Sequence, residues 1–385
     1  MINVKLLNKI AACGTDIFDK AVYNVAEDVE KAEAIMVRSA SMHEMEFDKE
    51  LLAIARAGAG VNNIPLDKCA EEGIVVFNTP GANANAVKEL ALCALLLGSR
   101  KIVDGINWAS TLTEDVAKSV EKGKSKFVGP ELYGKTLGVI GLGAIGALLA
   151  NAAIGLGMKV YGYDPYITVD AAWKLSSDIK HVTDLNDIYA NCDYISVHVP
   201  STPDTKGMIN ASSIAKMKDD VRIINLARAD LVNNADIKAA LEAGKVGSYV
   251  VDFPTEETIN VPGIVAIPHL GASTPEAEDN CAIMAANQLV DYLECGNIKN
   301  SVNYPATSLP CGGGVRVCVL HKNVPAVLSQ ITSILSDAKL NIENMVNNSK
   351  KDYAYTLLEV TGDVCDCISD KLAAIENVIR VRIIK

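Results

Sequence analysis

The chain has 385 residues, more than one hydrophobic core usually supports, so we expect two or three domains. Hydrophobic residues make up 49% and charged residues 22%, a balance that excludes a disordered or collagen-like chain. The net charge of −11 repels phosphate backbones, so we do not expect nucleic-acid binding. A single basic pocket for an anionic small molecule remains compatible with this charge.

Ten cysteines are scattered without a CxxC pair or a histidine cluster at zinc spacing, and Cys365-Asp366-Cys367 is too tight for a zinc knuckle. We therefore expect reduced thiols in a cytoplasmic protein, and no metal site. The N-terminus has no long apolar segment followed by a cleavage site. No stretch reaches the ~18 uncharged apolar residues of a membrane span, so no membrane association is expected.

The first hundred residues alternate short apolar runs with helical segments, which is typical of a parallel α/β sheet. The patterns predict strands at 34–37 and 74–77, and helices at 51–55 and 86–97.

In a second α/β region, predicted strands and helices alternate more regularly. Its predicted elements are strands at 136–140, 159–163, 194–197, 222–225, 247–251 and 264–267, and helices at 144–156 and 276–293.

The C-terminal residues form a third region. The composition of 306–314 predicts a flexible linker. Residues 315–385 predict the order βαββαβ, which is ferredoxin-like. The fold class is thus α/β, with two Rossmann-like parallel-sheet domains and a small third domain.

A glycine-rich turn follows the strand at 136–140 and opens a helix. Gly141 permits the tight turn, Gly143 lets a pyrophosphate approach the backbone, and Gly146 lets the helix pack on the strand. The N-terminus of the helix offers N–H groups to phosphates. Asp164, at the end of the next strand, is placed to bind ribose hydroxyls and to repel a 2′-phosphate. These features predict a dinucleotide site that prefers NAD to NADP.

Arg228 and His269 each follow a predicted strand, and ligands of open parallel sheets bind beyond such strand ends. A hydride-transfer enzyme for hydroxy acids needs a cation for the carboxylate and a group near neutral pKa for the hydroxyl proton. Arginine and histidine supply these two functions. A carboxylate beside the histidine would hold its tautomer, and Glu256 and Glu257 are candidates.

Several runs resemble the D-2-hydroxyacid dehydrogenase family: 134–143 (GKTLGVIGLG), 225–228 (NLAR), 268–274 (PHLGAST), and Val199-Pro200 with Thr205-Lys206-Gly207. The resemblance covers residues 1–305, and the tail resembles an ACT domain. It implies that Arg228 orients the substrate and that His269 is the acid/base group. The family's third residue is a glutamate, for which alignment favours Glu256, with Glu257 as the alternative.

The resemblance also implies the remaining contacts. The implied NAD contacts are Gly141, Gly143, Ala144, Ile145, Gly146, Asp164, Val199, Pro200, Thr205, Ala227, Arg228, Asp252, His269, Gly271 and Ala272. The implied substrate contacts are Arg38, Ser39, Ala59, Gly60, Asn83 and Lys88.

In the tail, His321, Asn323 and Asn341 resemble the serine-binding positions of regulated ACT domains. Ala326 stands where those domains usually have glycine, and its methyl group would obstruct a ligand pressed against the backbone. The resemblance of the three positions makes L-serine one expected effector, and the Ala326 methyl group argues against it. The alternative role of the tail is assembly of a homo-oligomer, a dimer or a tetramer, through a sheet edge.

The expected architecture is a discontinuous substrate-binding domain (1–99 and 286–305), an NAD-binding domain (100–285), the linker (306–314) and the ACT-like regulatory domain (315–385). The resemblance implies NAD-dependent oxidation of 3-phospho-D-glycerate, the first committed step of L-serine biosynthesis. The alternatives are another D-2-hydroxyacid dehydrogenase, acting on glyoxylate, hydroxypyruvate or D-lactate, and an NAD-sensing corepressor.

Overall fold

The computed structural model describes residues 1–365 and 367–385, so Asp366 of the Cys365-Asp366-Cys367 motif lies outside the described residues. The chain forms two compact units, one made of residues 1–82 and 278–385 and the other of residues 83–277. No helix within the described ranges is long and apolar enough to span a bilayer.

Residues 1–82 form a five-stranded parallel sheet with strand order β2-β1-β3-β4-β5. Its elements are β1 (Ile2–Leu7), α1 (Ala12–Thr15), β2 (Tyr23–Ala26), β3 (Ala34–Val37), β4 (Ala53–Arg56), α2 (Leu66–Glu71) and β5 (Val75–Phe77). Strands β3, β4 and β5 are short and almost fully buried, as expected for a parallel sheet that is covered on both faces, whereas most residues of β1 are half-buried.

The helix predicted at 51–55 is wrong, because these residues lead into strand β4. Ala53, Ile54 and Ala55 are fully buried, and β4 pairs in parallel with β3 and β5. A five-residue apolar run is too short to show a helical period, so periodicity alone does not separate a buried strand from a helix.

Residues 83–277 form a seven-stranded parallel sheet with strand order β12-β11-β10-β9-β6-β7-β8. Its helices are α3 (Ala84–Ser99), α4 (Ile102–Ala109), α5 (Val116–Gly123), α6 (Ala144–Gly155), α7 (Val169–Ala172), α8 (Leu185–Asn191), α9 (Ala211–Ala215) and α10 (Asn234–Glu242). Its strands are β6 (Thr136–Ile140), β7 (Lys159–Tyr163), β8 (Ile179–His181), β9 (Tyr194–Val197), β10 (Val221–Asn225), β11 (Val246–Val251) and β12 (Ile264–Ala266).

Small side chains bring helix α3 close to this second sheet. Ala91 and Ala94 are fully buried in one apolar cluster with Leu137 of β6 and Val250 of β11. This packing explains why α3 belongs to the unit that contains the seven-stranded sheet. The two parallel sheets together confirm the predicted α/β fold class.

The C-terminal part begins with the long helix α11 (Pro275–Cys295). A four-stranded antiparallel sheet follows, with strand order β14-β15-β13-β16. Its elements are β13 (Val315–Lys322), α12 (Val327–Asp337), β14 (Asn341–Lys350), β15 (Tyr353–Thr361), α13 (Cys367–Ala373) and β16 (Val378–Ile384). The predicted βαββαβ order is thereby confirmed.

Both faces of the antiparallel sheet are covered. On one face, side chains of α12 and α13 cover Val317 and Leu358. On the other face, Leu320 and Tyr355 belong to the same buried cluster as Tyr292 of α11. The C-terminal sheet therefore shares a hydrophobic core with residues 1–82 and α11.

Hydrogen bonds from Arg316 hold the segment that was predicted as a flexible linker. The guanidinium of Arg316 is almost completely buried and donates to the carbonyl oxygens of Cys295 (2.6 Å), Leu309 (3.3 Å) and Pro310. Each of these bonds connects β13 to the end of α11 or to the linker, so the chain doubles back on itself here.

Two disulfides in the structure correct the expectation that the cysteines are reduced. Cys295 and Cys311 form a disulfide, with their Cα atoms 5.9 Å apart, and Cys365 and Cys367 form a second one. A Cα separation near 6 Å suits a disulfide, and the sequence alone gives no such distance. Among the described residues, the free cysteines are Cys13, Cys69, Cys93, Cys192, Cys281 and Cys318.

Candidate active site

The glycine-rich turn lies between β6 and α6. Gly141 has a φ of +93°, a left-handed conformation that favours glycine. A Cβ on Gly146 would collide with the carbonyl group of Gly141, whereas a Cβ on Gly143 would point into open space. Gly143 is the N-cap of α6 and provides no side-chain cap, so the first N–H groups of the helix have no side-chain acceptor. The open space and the uncapped helix fit the phosphates of a dinucleotide.

Asp164 follows β7 and reaches back to this turn. Its carboxylate accepts hydrogen bonds from the backbone N–H groups of Leu142 (2.9 Å) and Tyr166 (2.9 Å). The carboxylate thus fixes the turn and retains lone pairs for ribose hydroxyls.

The other predicted cofactor residues lie in unit 83–277 as well. Ala144 and Ile145 begin α6, and the Thr205 hydroxyl donates to the carbonyl oxygen of Pro200 (2.6 Å) in the loop after β9. Val199 precedes Pro200, Ala227 lies in the loop after β10, and Gly271 and Ala272 follow β12.

Arg228 lies in the loop that follows β10, and Asn225 shapes that loop. The fully buried Asn225 side chain donates to the Arg228 carbonyl oxygen (2.8 Å) and accepts from the Ala227 N–H (3.2 Å). The asparagine of the NLAR motif therefore sets the backbone from which Arg228 extends. The Arg228 side chain is exposed and donates to the Ala227 carbonyl oxygen (2.6 Å).

His269 lies in the loop after β12, with its ring 4.7 Å from the ring of Phe253. Between the positions of Arg228 and His269, at the end of β11, lies Asp252, which is 1% exposed. Neither carboxylate oxygen of Asp252 has a hydrogen-bond partner among the described residues. Burial raises the pKa of Asp252 to about 6, and the charges of His269 and Arg228 oppose this rise.

Three neighbouring strands, β10, β11 and β12, thus bring Arg228, Asp252 and His269 to one edge of the sheet. The sequence assigned Asp252 only to the cofactor. Its electrostatic contact with both other residues depends on the strand order, which no local pattern contains. An unpartnered buried carboxylate in such a group offers an acceptor to a ligand N–H or to the histidine.

The two candidate glutamates lie elsewhere in the loop after β11. Glu257 accepts a hydrogen bond from Asn234 (3.0 Å). Glu256 is exposed and has no hydrogen bond or ion pair within residues 1–365 and 367–385. In this structure neither glutamate is hydrogen-bonded to His269.

In the unit that contains the five-stranded sheet, two arginines lie at the carboxyl ends of neighbouring strands. Arg38 directly follows β3, and Arg56 ends β4, where its Nε donates to the Arg38 carbonyl oxygen (3.0 Å). Gly58 leaves room for the Arg56 guanidinium, which a Cβ there would meet. Burial lowers the pKa of Arg56, and the charge of Arg38 lowers it further. The sequence missed Arg56 because 51–55 was assigned to a helix.

The guanidinium of Arg38 forms an ion pair with Glu278 of α11 at 2.5 Å. Ser39, beside it, donates its backbone N–H to Asn8 (3.0 Å). Ala59 and Gly60 lie in the loop after β4, which Asn78 holds by donating to the Ala59 carbonyl oxygen (2.7 Å).

The two remaining predicted substrate residues belong to unit 83–277. Asn83 is the N-cap of α3 without a side-chain cap bond, and the Lys88 ammonium lies 3.6 Å from Glu89.

The predicted effector residues lie in the antiparallel sheet. His321 is 2% exposed, and its ring nitrogens lie 2.7 Å from the Lys322 carbonyl oxygen and 2.9 Å from the Thr356 hydroxyl. Asn323 donates to the Lys351 carbonyl oxygen, and Asn341 donates to Glu343. Both asparagines are exposed, so only these two of the three side chains are accessible.

Among the described residues, no group of three or more His, Cys, Asp or Glu side chains could hold a metal ion.

Comparison with known proteins shows the family of this chain. The family model described as "D-isomer specific 2-hydroxyacid dehydrogenase, NAD binding domain" matches residues 94–271. A relative from Haemophilus influenzae is 32% identical over 352 residues, which cover 88% of this chain and 83% of the relative. The chain belongs to the D-isomer-specific 2-hydroxyacid dehydrogenase family.

Two of the similar relatives carry a more specific name within this family. The Haemophilus protein and a relative from Synechocystis, 35% identical over 73% of this chain, are both named D-3-phosphoglycerate dehydrogenase. This chain spans about half (50%) of the length of the Synechocystis protein. A solved NAD⁺-bound 3-phosphoglycerate dehydrogenase from Entamoeba histolytica matches with a TM-score of 0.60 and 28% identity, covering 78% of this chain and 98% of that chain.

Proposed function

We propose that the protein catalyses the NAD-dependent oxidation of 3-phospho-D-glycerate to 3-phosphohydroxypyruvate, the first committed step of L-serine biosynthesis. The observation that carries the proposal is the grouping of Arg228, Asp252 and His269 at one sheet edge, in the same unit as the glycine-rich turn. The names of the relatives from Haemophilus influenzae and Synechocystis support the choice of substrate.

In this proposal each residue has a defined task. The Arg228 guanidinium binds the substrate carboxylate through paired N–H groups. His269 accepts the proton of the substrate hydroxyl, and a carboxylate, either Asp252 or Glu256 from the loop after β11, stabilises the imidazolium that forms. Bound NAD⁺ supplies the hydride acceptor. The residues around Gly141, Gly143 and Asp164 would hold the cofactor, with the uncapped end of α6 facing its phosphates.

Two cations support a substrate with a second anionic group. Arg38 and Arg56 lie side by side at the carboxyl ends of β3 and β4, and a phosphomonoester carries about two negative charges at neutral pH. We propose that they bind the phosphate, with Ser39, Ala59, Gly60, Asn83 and Lys88 as further substrate contacts. A lactate-type substrate has no second anionic group for these two arginines to bind.

Effector binding and assembly are also proposed. Asn323 and Asn341 are exposed and suit a polar effector such as L-serine, whereas the buried His321 would hold the local backbone. Homo-oligomer formation is supported by Ile102, Val103 and Ile106, which project from α4 as exposed apolar side chains.

The test is a panel of D-2-hydroxy acids, including 3-phospho-D-glycerate, D-glycerate and D-lactate, assayed with NAD⁺ and NADP⁺. We expect the highest kcat/KM with 3-phospho-D-glycerate and NAD⁺. His269→Ala should lower kcat by about 10²- to 10⁴-fold while NAD⁺ binding persists. Equal efficiency with D-lactate would favour another dehydrogenase of the family, and NAD⁺ binding without turnover of any hydroxy acid would favour an NAD-sensing protein.

A further inference from the structure

The Arg38 guanidinium already has an anionic partner within its own unit. Glu278, in the first turn of α11, lies 2.5 Å from Arg38 Nη2, and their side chains are 42% and 44% exposed. The two residues are 240 positions apart in the chain, so only the folded structure pairs them. No other side chain bonds to the Arg38 guanidinium among the residues that the structure describes.

Arg56 provides the contrast. It lies beside Arg38, yet it has no acidic partner within the described ranges. The three side chains Arg38, Arg56 and Glu278 therefore carry one net positive charge, and without Glu278 they would carry two. An anion that approaches Arg38 must share its N–H groups with Glu278 or displace that carboxylate.

We propose that Glu278 is a positioning residue that acts through Arg38, as a built-in anion with which the phosphate of the substrate competes. Because half-exposed ion pairs are weak, the phosphate can displace the Glu278 carboxylate from Arg38 at a modest cost in affinity. Glu278 thus lowers the affinity of Arg38 for the phosphate group. This inference rests on the proposed role of Arg38 as a phosphate contact.

The first arm of the test is direct binding of inorganic phosphate to the intact protein, measured by titration calorimetry. Glu278→Gln should bind phosphate about two- to fivefold more tightly, the range expected for loss of a half-exposed competing charge. The matched control is Glu276→Gln, which removes an exposed negative charge from the same helical turn and should leave phosphate binding unchanged.

A double-mutant cycle tests whether Glu278 acts on phosphate binding through Arg38. In an Arg38→Ala background, Glu278→Gln should no longer strengthen phosphate binding, because the two residues act on the same anion. The second arm is turnover: the KM for 3-phospho-D-glycerate should fall about two- to fivefold in Glu278→Gln at unchanged kcat, and the gain should shrink at high salt.

Three results would overturn the inference: unchanged or weaker phosphate binding in Glu278→Gln, an equal gain in Glu276→Gln, or a gain that persists without Arg38. Failure of the proposed function is a separate outcome, in which the wild-type protein turns over no phosphorylated hydroxy acid. The phosphate-binding arm still decides the role of Glu278 in that case, since it requires no turnover.

Discussion

Arg382, in the last strand, holds Tyr292 near the end of α11 in two ways. Its guanidinium lies 4.7 Å from the centroid of the Tyr292 ring and donates to the Tyr292 carbonyl oxygen at 3.2 Å. A second bond reaches the Leu293 carbonyl oxygen at 2.9 Å. A cation near the C-terminus of a helix also complements the helix dipole. The C-terminal sheet is therefore a structural support of α11, the helix that carries Glu278.

Arg382→Met should lower the free energy of unfolding by about 1–3 kcal/mol, because it keeps apolar bulk but leaves two carbonyl groups without their charged donor. Urea denaturation of the intact protein measures this change. Lys371→Met, at an exposed position of α13, should change stability by less than about 0.5 kcal/mol. Equal effects of the two substitutions would refute a supporting role for Arg382.

Asp252→Asn should stabilise the cofactor-free protein at neutral pH. The pKa of Asp252 is raised by burial from its ordinary value of 3.8 to about 6, so folding favours the protonated carboxyl. Its stabilising contribution is complete below pH 3.8 and is lost as the pH rises through about 6.

The advantage of the Asp252→Asn variant should therefore grow over this window and level off at about 1–3 kcal/mol. Chemical denaturation at a series of pH values measures it. Asp204→Asn, which removes an exposed carboxylate, is the control, and a difference independent of pH would contradict the assignment.

The carboxylate partner of His269 can be identified from the kinetic pKa of the acid/base group. We expect Glu256→Gln to lower this pKa, because it removes a charge that stabilises the imidazolium. Glu257 bonds to Asn234, so Glu257→Gln is the matched control. The pH profile of kcat/KM gives the values. If neither substitution moves the profile while Asp252→Asn does, Asp252 fills the role.

Asp164→Ala should weaken NAD⁺ binding by about 1.5–3 kcal/mol and lower the NAD⁺/NADP⁺ ratio of kcat/KM. Part of the loss should come from the turn, since Asp164 accepts the backbone N–H of Leu142 there. Asp164→Asn keeps a hydrogen-bond acceptor but removes the charge, so it should lower the ratio with a smaller loss of NAD⁺ binding. An unchanged ratio in both variants would exclude Asp164 as the selector.

Ala326→Gly should stabilise the protein by about 0.5–1 kcal/mol. Ala326 is exposed and has a φ of +69°, a left-handed conformation that costs an alanine more than a glycine. Ala338→Gly, at a φ of −79°, should be neutral or destabilising. Thermal and urea denaturation of the two variants compare the effects, and a loss of stability in Ala326→Gly would refute the strain argument.

The glycine-rich turn and the strands around it could be predicted from the sequence because their signals are local. A strand, a turn that needs glycine and a helix start follow one another within residues 136–155, and the observed β6 and α6 match the pattern. The βαββαβ order of the tail was predicted in the same way, from short runs with clear periods.

Where local signals were weak or misleading, the predictions failed. The run 51–55 has no readable period, so β4 was assigned to a helix and Arg56 was missed. Cys295 and Cys311 were expected to be reduced, since the ten cysteines are scattered along the sequence without a CxxC pair or a histidine cluster.

The sequence by itself determined the alternation of strands and helices, the glycine-rich turn and the strand ends that carry Arg228 and His269. The tertiary structure alone decided which groups meet. It buried Asp252 beside those two residues, paired Arg38 with Glu278, and packed the C-terminal sheet on α11. The physical reason is range: turns and helix starts depend on residues a few positions apart, whereas burial and ion pairing depend on strand order and on packing between distant segments.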